Sequence, residues 1–84
     1  SSSNQYGDNW TIQVSAHTNM TDAIKDQLFF KDKGFDAYII DHKHHNHTLY
    51  RVRIGTFTDK IFAKDLQKRI NKYRGNTWLT NIGK

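Results

Sequence analysis

Two arginines at alternate positions, Arg51 and Arg53, are the residues of this chain best suited to bind an anion. Each guanidinium offers a planar fork of N–H donors, which suits carboxylates and sugar hydroxyls. A spacing of two places both side chains on one face of a β-strand. Gln13 adds an amide to them if its own strand lies alongside. The sequence therefore predicts a donor-rich patch on a sheet.

The strands that carry these residues are near copies of each other. The segments Trp10–Thr18 and Tyr50–Thr58 align without a gap, 40 residues apart, and each alternates apolar with polar residues after an aromatic start. The register continues into the next element, where Gln27 matches Gln67. Two copies are too few for a solenoid, so the pattern indicates a duplicated strand–helix–strand unit.

Strands are predicted at 10–16, 35–40, 49–55 and 76–82, with a polar hairpin tip at 41–47. Thr18 or Asn19 is expected to cap the first helix, and Thr58 or Asp59 the second. The order β-α-β-β-α-β predicts an α+β, ferredoxin-like split βαβ fold, in which strands one and three are central. Both helices then cover one face of a four-stranded antiparallel sheet and leave the other face open.

The two faces of the sheet are expected to differ in chemistry. Apolar residues should face the helices, together with an inner stripe of the second helix. That stripe is predicted as Phe62, Ala63, Leu66, Ile70 and Tyr73. The outward positions of the two central strands are predicted as Thr11, Gln13, Ser15, Leu49, Arg51 and Arg53.

Two aromatic residues flank the outward patch in this arrangement. Tyr38 falls on the outward side of strand two, and Trp78 occupies the same position in the second copy. A ring there can stack on a sugar or a base. The alternative for Trp78 is a place in the small core. The alternative for the arginines is a solvated pair with cross-strand partners such as Asp36.

Composition limits the classes of function. Eighty-four residues, 36% of them hydrophobic, form one small domain with little room for a deep enzyme pocket. Thirteen Lys and Arg against eight Asp, without any Glu, give a net charge of +5 and favour anionic partners. The absence of Cys excludes disulfides and thiolate metal sites. No apolar run approaches the ~20 residues of a membrane helix.

Histidines crowd the predicted hairpin tip. Neutral imidazoles at 42, 44, 45 and 47 could hold a metal, but only Asp41 stands near as a further ligand, so neither metal nor cofactor is expected. The other interpretation is a pH-sensitive positive tip beside the binding face.

Ser15 and His17 share one strand face without an evident orienting acid, so no catalytic residues are expected and the chain is not predicted to be an enzyme.

Domain boundaries follow from composition at the ends. Residues 1–9 are rich in Ser, Asn and Gly and are expected to form a flexible linker or a cloning remnant. Residues 10–82 form the folded domain, which is expected to be monomeric, and 83–84 are a tail. The chain starts at Ser1 rather than Met, which suggests a piece of a longer protein.

Several of these segments resemble the SPOR domain, the sporulation-related repeat, over Trp10 to about Ile82. The segments are Ile12–Ser15, Ala23, Gly34–Ala37, Ala63 and, most specifically, Tyr-Arg-Val-Arg-Ile-Gly-Thr-Phe at 50–57. The resemblance implies the same fold and non-catalytic binding of peptidoglycan glycan strands stripped of stem peptides. It also implies a larger protein of the cell envelope, in periplasm or cell wall, gathered at the division septum.

The resemblance also assigns residues of the binding face. The family's recurrent strand-one glutamine falls on Gln13, its strand-three arginine on Arg51, and a last-strand aromatic of some members on Trp78. This chain departs at Ala16, where a hydroxyl is expected and Ser15 can substitute one position earlier.

Two other functions use the same face. An RNA-recognition motif shares the strand order, but its third strand needs stacking rings where this chain has arginines, so no nucleic acid is expected. A protein-interaction module is the third possibility.

Overall fold

A computed structural model describes residues 9–82 of the chain. Its elements are β1 (Trp10–His17), α1 (Met20–Asp32), β2 (Ala37–His44), β3 (His47–Phe57), α2 (Lys60–Ile70) and β4 (Trp78–Asn81). The strands form one antiparallel sheet in the order β2-β3-β1-β4. This arrangement confirms the α+β, ferredoxin-like split βαβ fold, with β1 and β3 in the centre. None of the helices in residues 9–82 is long and apolar enough to cross a membrane.

Both helices begin at equivalent residues of the two copies. The Oδ1 of Asn19 accepts a hydrogen bond from the Thr21 amide at 2.7 Å, and the Oδ1 of Asp59 accepts one from the Ile61 amide at 2.9 Å. In each case the second of the two predicted candidates is the cap. Gly34 ends the turn after α1 with a φ of +94°, a conformation that glycine adopts without steric cost.

The core lies between one face of the sheet and the two helices. It is formed by Ile12, Val14, Ala23, Phe30, Ala37, Val52, Ile54, Ala63 and Ile70, all buried. The predicted inner stripe of α2 is wrong at both ends. Phe62 is 64% exposed because it lies about 100° around the helix from Ala63, and Tyr73 is 51% exposed because α2 has already ended at Ile70.

The β2–β3 hairpin is longer than predicted. The strands remain paired as far as His44 and His47, so only His45 and Asn46 form the turn. The hairpin tip predicted at 41–47 is therefore correct in place but wrong in length. Beyond the helices both faces of a strand meet solvent, and the apolar alternation that signals a strand disappears although the backbone ladder continues.

Two irregularities interrupt the β1–β3 ladder. One extra residue lies on β3 near Gly55, and one lies on β1 between Gln13 and Ser15. Such bulges redirect the side chains that follow them. Gly55 has a φ of +71°, and Ser15 occupies the equivalent position in the first copy.

Candidate ligand-binding face

One row of side chains crosses all four strands on the face opposite the helices. Tyr38 pairs with Arg53, Arg53 with Gln13, and Gln13 with Trp78. Directly paired residues of antiparallel strands point to the same side, so these four side chains share the open face. Trp78 is 47% exposed, which places it outward and not in the core.

Arg51 lies in the next row, between Ile40 of β2 and Ala16 of β1. In residues 9–82 no carboxylate lies within ion-pair distance of Arg51 or Arg53; the ion pairs found there involve Asp26. The alternative that Asp36 neutralises the arginines is therefore wrong. Two cations without a counter-charge give this face a local positive field that favours an anionic ligand.

Gln13 holds Arg53 in place. Arg53 Nε donates a hydrogen bond to Gln13 Oε1 at 3.2 Å, and Gln13 itself is only 5% exposed. Burial lowers the pKa of Arg53 from its ordinary value; the nearby Tyr38 hydroxyl raises it and the charge of Arg51 lowers it further. A guanidinium remains protonated despite such a shift. Arg53 is thus a partly desolvated cation whose position is fixed before a ligand arrives.

Tyr38 is fixed as well. Its hydroxyl donates to Thr11 Oγ1 at 2.9 Å, and Thr11 Oγ1 donates to the Gly55 carbonyl at 2.6 Å. These bonds reach from β2 across β3 to β1 and bury Thr11 completely. The face therefore presents an anchored phenol at one edge and an exposed indole at the other, with Arg53 between them and Arg51 in the adjacent row.

Ser15 does not belong to this face, so its predicted outward orientation is wrong. Because of the bulge after Gln13, Ser15 pairs with Val52, a core residue, and turns toward the helices. Ala16 takes the outward place and pairs with Arg51. The alternation rule fails here because one inserted residue exchanges the two faces.

A partly buried carboxylate near Ser15 was not predicted from the sequence. Asp26 of α1 receives two hydrogen bonds from Arg74, at 2.8 and 3.1 Å, and its Oδ2 lies 2.6 Å from His17 Nε2. Arg74 holds the pKa of Asp26 well below its usual range; desolvation opposes this, while His17 and the nearby Ser15 hydroxyl add to it. The Ser15 hydroxyl makes no hydrogen bond of ordinary geometry with any described residue. The contact ties β1, α1 and the segment before β4 together.

Asp26→Asn is expected to lower the free energy of unfolding by about 2 kcal/mol, because Arg74 would lose a doubly hydrogen-bonded, charged partner at a partly buried position. The lowered pKa means that the Asp26 contribution is fully present above its ordinary value of 3.8 and disappears as the pH falls toward the folded-state value. Urea unfolding at several pH values should show wild type and variant converging in acid. Asp32→Asn, at an exposed position, is the matched control and should change stability by less than about 0.5 kcal/mol. A constant difference down to the lowest pH would contradict the assignment.

A separate cleft of about 460 Å³ lies on the helix side of the sheet. Its lining includes Lys33, Phe35, Arg69 and Tyr73, and none of the predicted site residues. The predicted residues, apart from Ser15, lie together on the open face instead.

Comparison with protein families gives an independent result. The family model of the SPOR domain matches residues 6–80, which is nearly the whole chain. The chain therefore belongs to the SPOR domain family, whose members bind peptidoglycan and occur in proteins of the cell envelope and of cell division. No curated protein and no solved structure is significantly similar to it.

Proposed function

We propose that this domain binds peptidoglycan glycan strands that have lost their stem peptides, through the open face of the sheet and without catalysis. The observation that supports the proposal most is the pair Arg51 and Arg53, which has no carboxylate partner in residues 9–82. Arg53 lies in the row that has Tyr38 and Trp78 at its two ends, and Arg51 lies one row away. In this role the domain would direct a larger envelope protein to the division septum.

The chemistry of muramic acid explains a preference for stripped strands. In intact peptidoglycan the lactyl group of each muramic acid is an amide, because it carries the stem peptide. An amidase hydrolyses that bond and leaves a free carboxylate on the sugar. Arg51 and Arg53 would pair with such carboxylates, which a guanidinium binds far better than a neutral amide.

The other residues of the face have supporting roles. Trp78 would stack on a sugar ring with its exposed indole. Tyr38 would form the opposite edge of the binding face. Gln13 would act as a positioning residue, because its carbonyl is engaged by Arg53 and little of it reaches solvent. A stem peptide would also collide with a flat face that follows the glycan chain.

Capture on purified sacculi tests the proposal. Amidase treatment of the sacculi should raise the amount of bound domain about tenfold. This is the gain in affinity expected from one charge-assisted hydrogen bond between an arginine and a new carboxylate. A matched ligand control is the same stripped glycan with its carboxylates converted to amides, to which binding should fall again. Equal capture before and after amidase would refute the preference for stripped strands. Failure to bind any sacculus, together with binding to an oligonucleotide or a protein, would favour the other uses of this face.

A further inference from the structure

The β2–β3 hairpin projects beyond the rest of the sheet. β1 pairs with β3 only as far as His17 and Tyr50, whereas β2 and β3 stay paired up to His44 and His47. Residues 42–49 thus form a two-stranded extension, here called the hairpin arm. Since two residues of a strand span about 7 Å, the arm lengthens the sheet by about 14 Å beyond the row of Arg51.

The arm continues the open face with imidazoles. His42 pairs with Leu49 and His44 with His47, and both pairs follow the alternation that places Arg51 and Arg53 on that face. The rings of His42 and His44 are stacked, with centroids 6.2 Å apart, and those of His44 and His47 are 5.9 Å apart. A continuous line of side chains therefore leads from the two arginines to the end of the arm.

The charges on the same face of the sheet as these imidazoles are all positive. On the open face of the four strands the charged residues are Arg51 and Arg53, and no aspartate is present. Asp41 and Lys43 pair with Tyr50 and Thr48 and project to the other side of the arm, and His45 lies in the turn. No group of three metal-binding side chains in residues 9–82 could hold a metal ion.

We propose that the hairpin arm is an additional subsite of the glycan-binding face, which engages a further carboxylate of the same strand when its imidazoles are protonated. This inference rests on the proposed function. A neutral imidazole has one N–H donor, whereas a protonated one has two donors and a positive charge. Protonation of these imidazoles would thus extend the positive field of Arg51 along the arm. Binding of stripped glycan should tighten as the pH falls.

The test measures binding of the 84-residue chain to soluble amidase-treated glycan strands between about pH 7.5 and 5.5, the range in which imidazoles titrate. Wild type should bind about three- to tenfold more tightly at the lower pH, as expected for two or three exposed charge contacts. The variant His42→Gln/His44→Gln/His47→Gln should bind with the wild-type affinity at the higher pH but should not bind more tightly at the lower pH. Lys43→Gln, on the other side of the arm, is the matched control and should bind more tightly at the lower pH, as wild type does.

The possible results separate this inference from the function on which it rests. If the histidine variant tightens on acidification as much as wild type, the arm is not a subsite, while the proposed function still stands. If Arg51→Gln/Arg53→Gln binds as well as wild type at every pH, the proposed function itself fails. These measurements are made in EDTA and repeated with zinc in its place. If binding tightens at the lower pH only when zinc is present, the inference is overturned in favour of a metal-bridged contact.

Discussion

The double variant Arg51→Gln/Arg53→Gln should bind amidase-treated sacculi about a hundredfold more weakly than wild type. Glutamine keeps a hydrogen-bonding side chain beside Gln13 but removes both charges that would pair with lactyl carboxylates. The loss should appear in Kd from equilibrium sedimentation with sacculi. It should be accompanied by a weaker dependence on salt, because fewer exposed charge contacts remain to be screened.

The control for this variant is Lys64→Gln/Lys68→Gln on α2. It removes the same number of charges from exposed positions on the helix side of the sheet. If attraction to sacculi depended only on the net charge of +5, both double variants would lose the same affinity. Equal losses would therefore contradict a specific site on the open face. Thermal unfolding of both variants should confirm that each remains folded.

Gly55→Ala should lower the free energy of unfolding by about 3 kcal/mol, the largest effect expected from adding a single methyl group. The residue has a φ of +71°, which is unfavourable for any side chain. An added Cβ would also lie 2.7 Å from the Cε2 of Phe57, too close without a shift of that ring. The Gly55 carbonyl accepts a hydrogen bond from the Thr11 hydroxyl beneath Tyr38, so a change in the Gly55 backbone conformation would also weaken this bond.

Two other glycines separate the causes of this effect. Gly34 has a φ of +94° but nothing within 4 Å of an added Cβ, so Gly34→Ala should cost only about 1 kcal/mol. Gly75 has neither a positive φ nor a close neighbour, and Gly75→Ala should be nearly neutral. Chemical denaturation of the three variants measures the order directly. If Gly34→Ala were as destabilising as Gly55→Ala, close packing at Phe57 would have no part in the effect.

The internal duplication predicted most of the fold because it repeats local signals. The strand that starts at Trp10 and the one that starts at Tyr50 carry the same apolar alternation, and each is followed by a helix cap. Even the two partly buried helix glutamines have equivalent roles. Gln27 donates to the carbonyl of Ala37 at 3.2 Å, and Gln67 donates to that of Thr77 at 3.1 Å.

The candidate site was only partly predictable, because the alternation of side chains is a local signal that a bulge or a distant neighbour can override. Alternation placed Arg51, Arg53 and Tyr38 on the open face correctly, since their strands are regular there. It failed at Ser15, where a bulge inserts a residue that no sequence pattern marks. It also gave no sign that Gln13 would be covered by its neighbours.

The sequence by itself determined the succession of strands and helices, each helix cap to within two residues, the apolar face and the positions of the arginines, because each depends on residues close together in the chain. The tertiary structure alone decided three features: the exposure of Trp78, the pairing of Asp26 with Arg74, and the extension of the histidines along the open face. The first two depend on residues that come together only when distant strands and helices pack. The third depends on the length and register of the β2–β3 ladder, which no apolar alternation marks there. The patch of Arg51 and Arg53 was thus visible in the sequence, but the row of rings and imidazoles around it required the sheet.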